Sequence, residues 1–156
     1  MIESRPDGYE LRLSDFSVNR CVVDFGFTLH MARPLAAVRD RREQEEATLR
    51  IEGPFDYTAD GVTYHCDTER DPRTAGPALA LHQHAAEVAF VDTEGNLRLT
   101  FDNGATVWVP SDASYEVWTL AGSDGLLVVC GPGGVVSIFP SHRGPDSSHT
   151  QGPTHS

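Results

Sequence analysis

The run CVVDFGFTLHM alternates with a period of two: Cys21, Val23, Phe25, Phe27, Leu29 and Met31 share one parity, and Val22, Asp24, Gly26, Thr28 and His30 share the other. Successive side chains of a strand point to opposite faces, so this run predicts one long, half-buried β-strand. Shorter runs of the same kind follow. LRIEG ends at Gly53-Pro54, VTYHCD follows the turn signal Asp60-Gly61, and AEVAFVD leads through TEGN into LRLTFD. Asn103 and Gly104 both tolerate positive φ, which predicts a two-residue hairpin between LRLTFD and ATVWVP. In that register Phe101 faces Thr106, Leu99 faces Trp108, and Arg98 lies across from Val109 on the opposite side. SYEVWTLAG, LLVVC and VVSIF extend the meander, with turns at SDG and GPGG.

Two stretches read differently. In PLAAVRDRREQEEATLR, arginines precede glutamates by four residues (Arg39 and Glu43, Arg41 and Glu45, Arg42 and Glu46), which fits an exposed helical turn or two, or a charged loop. Residues 70–79 read as a loop, and LALHQHA as a short helix leading into AEVAFVD. The expected fold is therefore mainly β, with α+β as the variant: one domain of about seven to nine short antiparallel strands in a sandwich or curved sheet, with one or two short helices. Residues 1–17 are expected to form an N-terminal segment, 18–139 the β-rich domain, and 140–156 a disordered tail without large apolar residues.

Composition sharpens this picture. A chain of 156 residues is long enough to bury a core without disulfides or metal. Ten prolines and fourteen glycines imply many turns and short elements. The net charge of −11 comes from 23 acids against 12 bases, and every base is an arginine. The absence of lysine removes Schiff-base chemistry, Ser–Lys dyads and the phosphate-loop ammonium. So acidic a chain lacks the basic stripe that nucleic acid requires; the acidity either serves solubility alone or suits a basic protein partner. Cys21, Cys66 and Cys130 are an odd, widely spaced set, expected as free thiols in a reducing cytoplasm. No apolar leader and no 18-residue apolar run appears, so a soluble cytoplasmic protein with no membrane partner is expected.

Candidate chemistry is sparse. His82, His84 and Glu87 have a spacing that seats a metal if the segment is extended, because residues i and i+2 of a strand point the same way. On a helix the two imidazoles diverge by about 200°. His65-Cys66-Asp67 places neighbours on opposite strand faces, which does not suit one ion. Cys21 and Cys130 sit in apolar strands, where a nucleophilic thiolate is disfavoured; Cys66 beside His65 is the less apolar setting. Gly-x-Ser-x-Gly, His-Glu-x-x-His and Gly-x-Gly-x-x-Gly are all absent. His142, His149 and His155 are scattered through a Ser, Gly and Pro matrix and read as a solvated tail. Glu116, between Tyr115 and Trp118, reads as a structural carboxylate, as part of a partner-binding surface, or as a catalytic carboxylate with Asp92, Asp102 or Asp112 brought near it by the fold. The partner-binding set is Tyr115, Glu116, Trp118, Trp108 and Asp102. No cofactor is implied.

The stretch LTFDNGATVWVPSDASYEVWTLAGSDGLLVVCGPGG, with its F-D-x-G hairpin, Y-E-x-W strand and P-G-G turn, resembles a family of small, mostly actinobacterial proteins of unknown function. VDFGFTL and LRIEGPF are similar to that family's early strands, so the resemblance spans about residues 18–139. The hairpin followed by Y-E-x-W is also similar to compact immunity proteins that neutralise bacterial toxins. These readings give three expectations: a non-catalytic binding module, most specifically an immunity-like protein masking a basic toxin; a small metal-dependent enzyme around His82 and His84; or a structural or assembly protein, for example a homodimer joined through an edge strand.

Overall fold

A computed structural model describes residues 2–34 and 44–140. These form two antiparallel sheets in a single, mainly β domain. The first sheet holds β1 (Ile2–Arg5), β2 (Gly8–Leu11), β6 (Phe55–Ala59), β7 (Val62–Cys66), β8 (Ala86–Asp92), β9 (Leu97–Phe101) and β10 (Thr106–Val109), in the order β1-β2-β8-β9-β10-β6-β7. The second holds β3 (Ser17–Val23), β4 (Phe27–Pro34), β5 (Gln44–Ile51), β11 (Trp118–Gly122), β12 (Leu127–Cys130) and β13 (Val136–Phe139), in the order β13-β12-β11-β5-β4-β3.

The alternating patterns turn one apolar face of each sheet inward, and the two faces share one core. Leu97, Leu99, Phe101, Val107 and Val109 come from the first sheet; Phe27, Leu29, Leu49, Ile51, Trp118 and Leu120 come from the second. Phe27 of β4 stacks on Phe55 of β6 with ring centroids 5.1 Å apart, which joins the layers. Trp118 is fully buried and its indole N–H donates to the Gly95 carbonyl at 3.0 Å, so its one polar atom is satisfied.

The N-terminal residues take part in the fold: β1 pairs with β2, β2 pairs with β8, and Leu11, Leu13 and Phe16 are buried. Leu11, Leu13 and Phe16 supply apolar cover that the core needs. The expected single strand CVVDFGFTLHM is two, β3 and β4, joined by a tight turn at Asp24–Gly26. There Asp24 Oδ1 accepts the Gly26 N–H at 2.8 Å, the turn chemistry of an Asx residue. Within the run expected as helix or loop, residues 44–48 are strand, paired with β4 from Pro34↔Gln44 onward, and Arg33 meets Glu45 across the ladder at 3.0 Å. Arg39, Arg41, Arg42 and Glu43 lie outside the described residues, as do residues 141–156 of the expected tail.

The loop expected at 70–79 is a 3₁₀ helix, Pro72–Leu81, and it ends before the imidazoles of LALHQHA. Asp71 caps it by accepting the Arg73 N–H, Pro72 starts it, and Pro77 inside it has no N–H for an α-helical bond. The β9–β10 hairpin has a three-residue loop: Phe101 N–H donates to Ala105 and Gly104 takes φ +83°. The register moves by one residue, so Val107 faces Leu99 and Trp108 faces Arg98. Because the side-chain period is two, that step puts Trp108 on the outer face with Arg98 and leaves Val107 and Val109 for the core. Finally, β11 starts only at Trp118, so Tyr115 and Glu116 belong to the preceding loop.

Candidate functional site

Four connections that are distant in sequence line a single cleft. The β3–β4 turn contributes Phe25, the end of β5 Glu52, the segment after β7 Glu69, and the loop before β11 Tyr115 and Glu116. The open cleft between them measures about 510 Å³.

Phe25 is 78% exposed, although it has the parity of a core residue. The turn carrying it is braced on three sides. Asp24 accepts the Gly26 N–H and pairs with Arg50 Nη1 at 2.8 Å; Arg50 Nη1 also donates to Thr28 Oγ1 at 2.9 Å; and the Thr68 hydroxyl donates to the Phe25 carbonyl at 3.0 Å. The Gly26 N–H bond, followed by the Arg50 guanidinium, holds the Asp24 carboxyl below its ordinary range. A ring on a fixed turn loses little freedom when a partner covers it.

Tyr115 lies across Gly53, where a Cβ would meet the Tyr115 hydroxyl at 2.7 Å, so glycine lets the phenol sit this close to the backbone. Tyr115 is 36% exposed. Partial burial raises its phenol pKa, and the negative field of Asp112, Glu69 and Asp67 raises it further. Glu69 and Glu116 make no hydrogen bond or ion pair with the described residues, while Arg50 is taken up by Asp24 and by Glu52 at 3.0 Å. Among the described residues the cleft is therefore aromatic and acidic, and its nearby Arg50 is already paired.

Glu116 also lines a second, more apolar groove of about 300 Å³ with Val129, Pro132, Val135, Ser137 and Phe139. Val135 and Phe139 are 65% and 51% exposed. The two concavities thus meet at one carboxylate.

Of the residues expected to bind a partner, Tyr115 and Glu116 line this surface and the others do not. Trp118 is core. Trp108 lies on the outer face of the first sheet, with the Arg98 guanidinium 5.1 Å from its ring centroid. Asp102 takes the His84 Nδ1 at 2.9 Å, and that hydrogen bond leads the causes that lower its pKa. His84 is occupied by this pair, while His82 and Glu87 are exposed, and among the described residues no three His, Cys, Asp or Glu side chains converge as metal ligands. Burial pushes the Cys66 thiol up to about 11, the reverse of what a nucleophile needs. Cys130 is buried with its thiol on the Gly95 carbonyl.

Sequence reasoning missed Phe25, Glu52, Glu69 and Phe139. The signal for Phe25 was present in its flanking Asp24 and Gly26, turn formers inside an apolar run. For Glu52 and Glu69 only the topology brings the segments together. No curated protein and no solved structure matches the chain. Residues 9–140 match a family described as a family of unknown function (DUF6188).

Proposed function

We propose that this chain, which belongs to the DUF6188 family of unknown function, is a non-catalytic protein-binding module whose acidic, aromatic end covers a basic partner. The observation that carries the reading is the placement of Phe25 and Tyr115, exposed on braced backbone, beside the carboxylates of Glu69 and Glu116, which have no partner among the described residues. Covering one such ring contributes about 1.5–3 kcal/mol, and aromatic anchors with a charged rim are the usual energetic centre of an interface. The net charge of −11 would speed encounter with a cationic surface. In its most specific form the module is immunity-like and masks a basic toxin.

The test is capture from the source organism's lysate on the purified full chain, followed by titration of whatever is recovered. A basic protein in near-equal amount is expected, with affinity lowered at least about tenfold by Phe25→Ala and by Glu116→Gln and weakened by salt. Val88→Ala, at an exposed position on the other sheet, should leave affinity unchanged. Recovery of no basic partner, or one indifferent to both substitutions, would remove the proposal.

A further inference from the structure

The two sheets have four edge strands, and they are unequally protected. The edge strand β1 carries Glu3 and Arg5 in an ion pair. The edge strand β3 has a register irregularity between Val18 and Arg20 and carries Arg20 itself. On β7, Thr63 and His65 are tied to Thr58 and Asp56 of the neighbouring strand. The fourth edge, β13, is Val136-Ser137-Ile138-Phe139, with neither a charge nor a described bulge. Charged or irregular edges deter the addition of a further strand; an apolar, regular one accepts it.

The ladder shows which groups are open. Gly131 N–H donates to the Val135 carbonyl at 2.8 Å, so Val135 bonds toward β12. Backbone direction alternates along an antiparallel strand, which points the N–H and C=O of Val136 and Ile138 away from β12, toward the edge that no described strand covers. Beside that edge lies the groove of Val129, Pro132, Val135 and Phe139, with Glu116 at its margin.

Resting on the binding reading above, we infer that the basic partner docks as an added β-strand on β13, with an apolar side chain on Val135 and Phe139 and a basic one at Glu116. Charge decides between this occupant and a second copy of the chain. Pairing two β13 edges about a twofold axis would bring together two copies of net charge −11 with their Glu116 grooves side by side, whereas a foreign strand carrying arginine or lysine neutralises Glu116.

The probe is a synthetic peptide of alternating arginine and valine, added to the full chain while amide hydrogen exchange is followed by NMR. Exchange at Val136 and Ile138 is expected to slow at least about tenfold with peptide. Phe139→Ala, at an exposed position that leaves the core intact, should abolish the slowing, and Glu116→Gln should weaken it most at low salt. Peptide binding that shifts Phe25 and Tyr115 but protects neither amide would overturn strand addition and leave the binding reading standing. Slowing without peptide that grows with protein concentration would overturn it in favour of a second copy. Absence of peptide binding in a chain that does capture a basic protein would overturn it as well, whereas absence of any captured protein counts against the earlier reading.

Discussion

Phe25 and Trp118 exchange the places that their sequence neighbourhoods suggest. Phe25 keeps the parity of Phe27 and Leu29, but Asp24 and Gly26 close a turn around it, and parity has no meaning across a turn. Trp118 follows Tyr115 and Glu116, but the strand begins only at Trp118, on the inward face. Trp118→Ala should therefore cost about 3–5 kcal/mol of stability by leaving a cavity, whereas Phe25→Ala should stay within about 0.5 kcal/mol; urea unfolding of the two variants separates the roles. A comparable gap in affinity, in the opposite order, belongs to the binding proposal. Cys66 gives the pH dependence at this scale. Its folded pKa of about 11 lies above the ordinary 9.0, so the folded state holds the proton more tightly. The stability linked to it is complete below pH 9.0 and is lost as pH rises toward 11. The thermal midpoint should fall through that window, and less steeply in Cys66→Ala, which lacks the titrating thiol; equal slopes would show that Cys66 does not drive the fall.

At the scale of elements, most strands were legible because a period of two survives any tertiary arrangement. Strands β8, β9, β10, β12 and β13 all lie on runs that alternate or are wholly apolar. Turn length was less legible, since Asn103-Gly104 suits a two-residue loop and also a three-residue one in which glycine alone takes positive φ. That single residue of difference moved Trp108 from the expected company of Leu99 to that of Arg98. The β3–β4 turn shows how an element serves the site without touching a partner. Asp24 links the Gly26 N–H to Arg50, and Arg50 reaches Thr28 and Glu52, so one carboxylate fixes the turn and occupies the guanidinium. Asp24→Ala should free both. The expected result is a small loss of stability, because the pair is exposed, with a larger loss of affinity as Phe25 gains freedom and Arg50 is released toward Glu52 beside the cleft. Calorimetric titration with the captured partner, alongside unfolding of the same variant, checks this; affinity and stability falling in step would mean the turn acts only through the fold.

For the whole molecule, what the sequence hid was the company each segment keeps. Residues 25, 52, 69, 115 and 116 form one cleft because β4, β5 and β11 are neighbours in the second sheet, while the chain crosses to the first sheet after β5 and returns only before β11. No spacing along the chain encodes that. The N-terminus follows the same rule. Its first strands look marginal in isolation, yet β2 covers the edge of β8 from Gly8↔Asp92 to Leu11↔Ala89, and Leu11, Leu13 and Phe16 complete the core. Removing residues 1–11 would delete two strands, bare a long alternating edge on β8 and expose apolar atoms near Leu13 and Phe16. Such a truncation should lose the single cooperative urea transition of the full chain and scatter light increasingly with concentration. The family match beginning at residue 9 agrees with a core that needs β2. A truncated chain that stayed monomeric and unfolded at an unchanged urea midpoint would mean that the sandwich closes without β1 and β2, and that the burial of Leu11 contributes little to holding the two sheets together.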